Sequence, residues 1–212
     1  MENPVIVGVT GASGSILASK TVDALLELNI PTILVASNPA RMVWQIEMSE
    51  SFGESLERWR ENSGFSHYAI GDLQAPIASG TFPGRGMVIV PGSMATVSAI
   101  VNGISDNLIR RSADVCLKER RPLVIVPRES PLNGIHLSNL AALDSFGTSI
   151  VTADPPYYLP IKTLEDSASF TAQRVLLALN VIEKLPEQFR YGDNESQQDR
   201  IKRISGLRLP HL

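Results

Sequence analysis

The chain has 212 residues, 43% hydrophobic and 19% charged, a length that suits about one large domain and a charged share below the ~25% usual for soluble proteins. Nineteen Lys and Arg against 22 Asp and Glu leave a net charge of −3, which argues against nucleic acid as a partner and against a charged, disordered scaffold. One cysteine, Cys116, excludes an internal disulfide framework and a Cys-rich metal site.

In chain order, Val5-Ile6-Val7-Gly8-Val9 is an apolar run of the kind a parallel strand buried on both faces needs. It ends in Thr10-Gly11-Ala12-Ser13-Gly14, and a helical stretch with Val22, Leu25 and Leu26 at core spacing runs to about Asn29. Pro31 opens a second strand, 32–36, stopped by Ser37-Asn38-Pro39. Residues 40–50 read as helix, and 51–80 give no clear pattern. A third strand at 87–90 precedes Pro91-Gly92-Ser93-Met94-Ala95-Thr96 and a helical region, about 94–120, which Gly103 is expected to break. A fourth strand at 123–126 ends in Pro127-Arg128-Glu129; a helix near 135–146 is closed by Gly147. A short strand at 148–152 leads into Asp154-Pro155-Pro156-Tyr157-Tyr158, and the last helix covers about 163–183. The tail from Pro186 is polar. This alternation predicts an α/β fold with a doubly wound, mostly parallel sheet of the Rossmann or flavodoxin-like kind. A single domain over 1–185 and a tail over 186–212 is the expected organisation. No apolar run approaches the ~18 residues of a membrane span, and the first residues lack a basic, cleavable leader pattern, so a cytoplasmic protein is expected.

Five predicted strands each end in a segment rich in Gly, hydroxyl or charged residues: 11–14, Ser37, 92–96, Arg128-Glu129 and 154–158. Open parallel sheets bind ligands beyond the carboxyl ends of their strands. Gly8-x-x-Gly11-x-x-Gly14 is not the dinucleotide pattern G-x-G-x-x-G, and Ser37 stands where an acidic residue would hold an adenosine ribose. The spacing favours a mononucleotide over NAD, or a glycine turn with no ligand. Ser13 either caps the helix or bonds a ligand. Arg111 and Lys118, seven residues apart, share one helix face, which on spacing alone reads as a solvated face. Arg120 and Arg121 complement the helix dipole. Glu129 either pairs structurally or accepts a proton. His67 and His136 have no partners at metal-ligand spacing, so no metal is expected. Cys116, Trp44 and Trp59 read as core. Ser13 lies in G-A-S-G, so a G-x-S-x-G hydrolase elbow is not supported.

Residues 7–14, 86–96 and above all 106–129 closely resemble the UbiX/Pad1 flavin prenyltransferases, and the likeness continues through Pro131-Leu132, Ile135-His136-Leu137, Tyr158 and Arg174. It covers roughly residues 4–182. The resemblance implies a metal-independent enzyme that joins a dimethylallyl group from dimethylallyl phosphate to N5 of reduced FMN and then closes a ring at C6. The product, prenylated FMN, would serve a UbiD-type decarboxylase. Carried over by residue, Gly11, Ala12, Ser13, Ser37, Ser93, Met94, Ala95, Thr96 and Arg128 would contact FMN. Arg111, Lys118, Glu129, Tyr158 and Arg174 would hold the prenyl phosphate. Catalysis would rest on Glu129, Ser13, Arg111 and Lys118. Glu47 resembles a supporting carboxylate, and Tyr191 an aromatic lid in a tail that could also serve as an oligomer arm. The resemblance also implies a homo-oligomer, a dodecamer, with sites between subunits, which would make Trp44 an interface candidate. The chain departs from the pattern at Gly92, where many relatives carry Cys, at Asn38-Pro39, and at 154–157 and Leu159. Monophosphate and diphosphate donors are both compatible with these residues. Two other readings stay open: an FMN-dependent cysteine decarboxylase of the same fold, whose P-x-M-N motif is absent here, and a non-catalytic flavin-binding accessory protein.

Overall fold

The computed structural model describes residues 3–191. Its apolar runs form six strands: β1 (Val5–Val9), β2 (Thr32–Ala36), β3 (Phe65–Ala69), β4 (Gly86–Gly92), β5 (Leu123–Pro127) and β6 (Ser149–Ile150). They make one all-parallel sheet in the order β3-β2-β1-β4-β5-β6. Every residue of β1, β2 and β4 is buried, as continuous β-branched runs require when helices cover both faces. One layer packs α1 (Ser15–Glu27), α2 (Asn38–Glu47), α3 (Phe52–Arg60) and α7 (Leu164–Ala178) on Val5, Val7, Val9, Leu34 and Val88. The other packs α4 (Met94–Val101) and α5 (Leu108–Lys118) on Ile6, Ile33, Met87, Ile89 and Ile125. The α6 helix (Gly134–Ser145) adds only Leu143 to that second core. Connections run one way from β1 to β2 and the other way from β4 to β5, so the switch point lies between β1 and β4.

Gly103, at φ 68, separates α4 from α5, and Gly147, at φ 88, ends α6, both as the sequence indicates. The unpatterned stretch 51–80 contains α3 and the edge strand β3. Trp44 and Trp59 are 1% and 2% exposed and meet edge to face with centroids 6.0 Å apart. Both are therefore core residues, and Trp44 offers no surface to a second subunit. Among the described residues, no helix is long and apolar enough to cross a membrane.

Candidate active site

All five expected strand-end segments fall at the carboxyl edge of the sheet, and two of them are joined there. The Thr10 side chain, 3% exposed, donates to the Pro91 carbonyl at 2.7 Å and accepts from the Ser93 amide at 2.7 Å. This one hydroxyl locks the β1–α1 turn to the β4–α4 turn at the switch point. In the second turn Ser93 caps α4: its hydroxyl accepts from the Thr96 amide and donates to the Thr96 hydroxyl at 3.0 Å. Met94 points into the core, leaving only its backbone to a ligand, while Ala95 is exposed. Ser37 caps α2 by accepting from the Ala40 amide at 3.2 Å.

The first turn is closed differently. Gly14, at φ 112, is the N-cap of α1 and has no side chain to cap with. The Glu47 carboxylate, at the end of α2, accepts instead from the Gly14 amide at 2.9 Å and the Ser15 amide at 2.8 Å. Burial pushes the Glu47 carboxyl up, but hydrogen bonds from the Ser13 hydroxyl and from Ser15 and Gly14 outweigh it and hold it below the usual carboxylate range. Ser13 is thus not the helix cap: its hydroxyl is spoken for by Glu47. Among the described residues, the amides of Gly11, Ala12 and Ser13 have no partner in the chain, so they remain available to an anion. A Cβ on Gly11 would lie 2.4 Å from the Pro39 Cβ, so glycine is what lets Asn38-Pro39 close over this turn. At Gly92 a Cβ would lie 2.9 Å from the Ile125 Cγ2 and 3.3 Å from the Val126 carbonyl. That neighbour is stiff and β-branched, so a side chain at 92 would have to displace it.

The β1–α1 turn borders a cleft of about 730 Å³, lined among others by Ser13, Gly14, Glu47, Met48, Arg128, Glu165 and Ala168. The volume is of the size that holds a small cofactor. The Arg128 guanidinium lines it with no partner among the described residues, an arrangement that suits an incoming anion. Glu129, next to it, is exposed and accepts only from the Ser130 amide.

Three expected phosphate-binding residues lie outside this cleft. Arg111 and Lys118 do share a face of α5, as the spacing predicts, but that face meets the 76–80 segment. The Arg111 Nε donates to the Ala78 carbonyl at 2.9 Å and its Nη1 to Asp114 at 2.7 Å. Lys118 pairs with Glu119, beside Gly80. Because α5 runs back toward the start of β5, Lys118 sits at the amino edge of the sheet. That is about one strand length, ~16 Å, from the glycine turn. Arg174, exposed, is six residues past Ala168, the last α7 residue lining the cleft, about 9 Å further along the helix. Tyr158 is 52% exposed and meets Tyr191 edge to face at 5.4 Å. The tail beyond 191 lies outside the described residues.

His136 belongs to the capping box of α6 with Asn133. His67 lies on β3, where burial first and then Arg60 and Arg41 hold its pKa below the usual value. Burial pushes the Cys116 thiol up to about 12, as for an inert core residue. Among the described residues there is no metal-ligand cluster.

A family model described as flavoprotein matches residues 1–176. The flavin prenyltransferase UbiX of Synechocystis sp. is 40% identical over 207 residues, covering 93% of this chain and all of the relative. The flavin prenyltransferase LpdB of Lactiplantibacillus plantarum is 39% identical over 178 residues, 84% of this chain and 92% of the relative. A crystal structure of AnUbiX (PadA1) in complex with FMN and dimethylallyl pyrophosphate superposes with a TM-score of 0.81 at 34% identity, covering 90% of this chain and 97% of that one. A dodecameric FMN-dependent UbiX-like decarboxylase from Escherichia coli O157:H7 superposes with a TM-score of 0.76 at 38% identity, over 82% and 92% of the two chains.

Proposed function

The chain belongs to the flavoprotein family and, within it, to the UbiX-type flavin prenyltransferases, and from that premise we propose that its cleft takes reduced FMN and moves onto it a dimethylallyl group from dimethylallyl phosphate. The observation that carries this reading is an unpartnered Arg128 and the Ser13–Gly14 turn lining one cleft of about 730 Å³, with the free amides of Gly11, Ala12 and Ser13 in that same turn. Charge and donors there suit a flavin mononucleotide phosphate and ring. Ser37 and residues 93–96 supply further hydroxyls and helix-start amides at the same edge.

Reduced flavin would supply nucleophilic N5 and C6: N5 displaces the phosphate from the first prenyl carbon and gives up its proton, and C6 closes the ring as the prenyl double bond takes a proton and C6 loses one. The protein's task is to ionise the allylic phosphate while excluding water. Arg and Lys around the departing oxygens stabilise the charge that builds there, most strongly where the dielectric is low. Glu129, exposed beside Arg128, holds or moves a proton on the phosphate or flavin, and Ser13, already bonded to Glu47, orients the flavin edge. Tyr158 donates a hydrogen bond to the phosphate.

A single chain leaves Arg111, Lys118 and Arg174 outside this cleft, so copies of the chain bring them to it. A homo-oligomer, a dodecamer as in the Escherichia coli relative, places α5 of one subunit beside the strand ends of another. The flavin domain is residues 1–185. The product is prenylated FMN, and a UbiD-type decarboxylase is its recipient. We assign the reaction to the cytoplasm, with which a free, buried cysteine is compatible.

The test is anaerobic incubation of the purified protein with reduced FMN and dimethylallyl phosphate, followed by mass spectrometry of the extracted flavin. A gain of one five-carbon unit without any partner protein is expected. Unmodified flavin with both the monophosphate and the diphosphate donor would overturn the reading in favour of a decarboxylase or a flavin carrier. Arg111→Ala and Lys118→Ala are expected to spare FMN binding and lower prenyl transfer about a hundredfold or more.

A further inference from the structure

The carboxylate that closes the glycine turn sits on a weakly held helix. Only Ala40 and Trp44 of α2 are buried, and Met42 and Ile46 on its outer face are 69% and 85% exposed. Packing of α2 alone therefore gives Glu47 little constraint. The stretch after it, 48–51, is better anchored. The Trp44 indole N–H donates to the Glu50 carbonyl at 3.1 Å. The Glu50 carboxylate accepts from the Ser55 hydroxyl at 2.8 Å and from the Arg58 Nε and Nη2 at 3.2 and 3.1 Å. Arg58 reaches Asp23 on α1 at 2.9 Å with its remaining nitrogen, and the Trp59 indole donates to the same Asp23 oxygen at 2.7 Å. The guanidinium also lies over the Trp59 ring, 5.2 Å from its centroid.

Asp23 is eight residues past Ser15, about 12 Å down the same helix. The α1 helix is thus gripped twice by the α2–α3 unit, at its first amides by Glu47 and two turns later through Asp23. We propose that Arg58, bridging Asp23 and Glu50, is a positioning residue: it ties the 48–51 linker to α1 and so fixes the Glu47 carboxylate, and through it the Ser13 hydroxyl, at the glycine turn. Its consequence for prenyl transfer rests on the proposed function; its consequence for Glu47 does not. A planar fork with three usable donors is needed to serve both acids at once, which a Lys ammonium does less well.

The experiment follows the Glu47 carboxyl by carbon-13 NMR titration in flavin-free protein, assigned with Glu47→Gln, for wild type, Glu50→Gln and Arg58→Lys. Glu47 faces the Ser13 and Ser15 hydroxyls on α1, with Arg128 and Glu165 lining the same cleft, and both variants leave these in place. Removing the Glu50 charge acts directly by lowering the Glu47 midpoint, whereas release from the turn amides raises it. The expected result is a rise of about half a pH unit or more in Glu50→Gln, a similar rise in the charge-conserving Arg58→Lys, and a severalfold lower kcat with an unchanged KM for the prenyl phosphate. A folded Glu50→Gln whose Glu47 midpoint stays or falls overturns the proposal, and Arg58→Lys decides alone if Glu50→Gln does not fold. If wild type transfers no prenyl group yet the midpoint rises, the functional reading fails and the positioning role stands.

Discussion

The two turns at the switch point have the same place in the fold and opposite ways of closing. In the β4–α4 turn the cap is local: Ser93 satisfies the amide three residues on. In the β1–α1 turn the N-cap is a glycine at φ 112 with no side chain, and a carboxylate 32 and 33 residues away satisfies the amides of Ser15 and Gly14. A local cap is fixed as soon as its helix forms, whereas a remote one depends on how another helix docks. The β1–α1 turn is accordingly the one whose charge and geometry respond to distant residues, and it carries Ser13. The β4–α4 turn is a rigid shelf. Thr10 couples the two by one hydroxyl.

The sharpest way to break this contrast is Gly14→Ala. An added Cβ meets the Leu17 Cδ1 at 3.0 Å in a backbone conformation that L residues rarely adopt, and relaxing it pulls the amide from Glu47. The expected cost is about 2–3 kcal/mol. For a protein of this size that lowers Tm by roughly 5–10 °C, with FMN affinity falling in parallel. A Gly14→Ala variant with wild-type melting would show that the turn bends freely and does not depend on its conformation.

How much of this was legible in the sequence follows the same division between local and remote. The strands β1, β2, β4 and β5 are continuous apolar runs and announce themselves. The edge strand β3 reads Phe65-Ser66-His67-Tyr68-Ala69, with only Phe65 buried, and its mixed polarity hid it. The preceding α3 was missed although Ser51 and Glu54 form a capping box, a signal present in the sequence. The strand-end clustering of Gly11, Ser37, Ser93 and Arg128 could be inferred because parallel connections place all strand ends on one edge. The face shared by Arg111 and Lys118 was also legible from their spacing. That the face turns away from the cleft was not, since it depends on where the 76–80 segment packs. Glu47 was reached through resemblance; no spacing rule links it to Gly14, and nothing in sequence order connects Asp23 with Arg58 and Glu50.

Glu47→Ala tests the remote cap directly and has the next largest effect. Two helix-start amides lose a charged acceptor, worth about 1–2 kcal/mol at pH 7. The pH dependence has a definite sign. Because the folded-state carboxyl lies below its usual value, its stabilisation is present above the ordinary value of about 4.3 and is lost as pH falls through the folded one. Denaturant titrations should therefore show wild type and Glu47→Ala apart at pH 7 and converging as pH falls through the folded-state value. A gap that persists once the carboxyl is protonated would mean that the variant loses packing and not a charged cap.

Ser93→Ala has the smallest effect and completes the comparison. The Ser93 hydroxyl lies 3.4 Å from the Thr96 amide, a long contact, so the cap contributes at the low end of its range, about 0.5–1 kcal/mol. The Thr96 hydroxyl, in a residue 7% exposed, also loses a neutral donor at 3.0 Å. No ionisable group takes part, so the difference from wild type should be the same at pH 7 and at a pH low enough to protonate the Glu47 carboxyl. Denaturant titrations at both pH values, run beside Glu47→Ala, read this out. If the Ser93→Ala difference also vanished on acidification, the β4–α4 turn would be coupled to the Glu47 carboxylate. The link would be Thr10, whose hydroxyl accepts from the Ser93 amide, and Thr10→Val should then abolish the pH dependence while leaving that of Glu47→Ala intact.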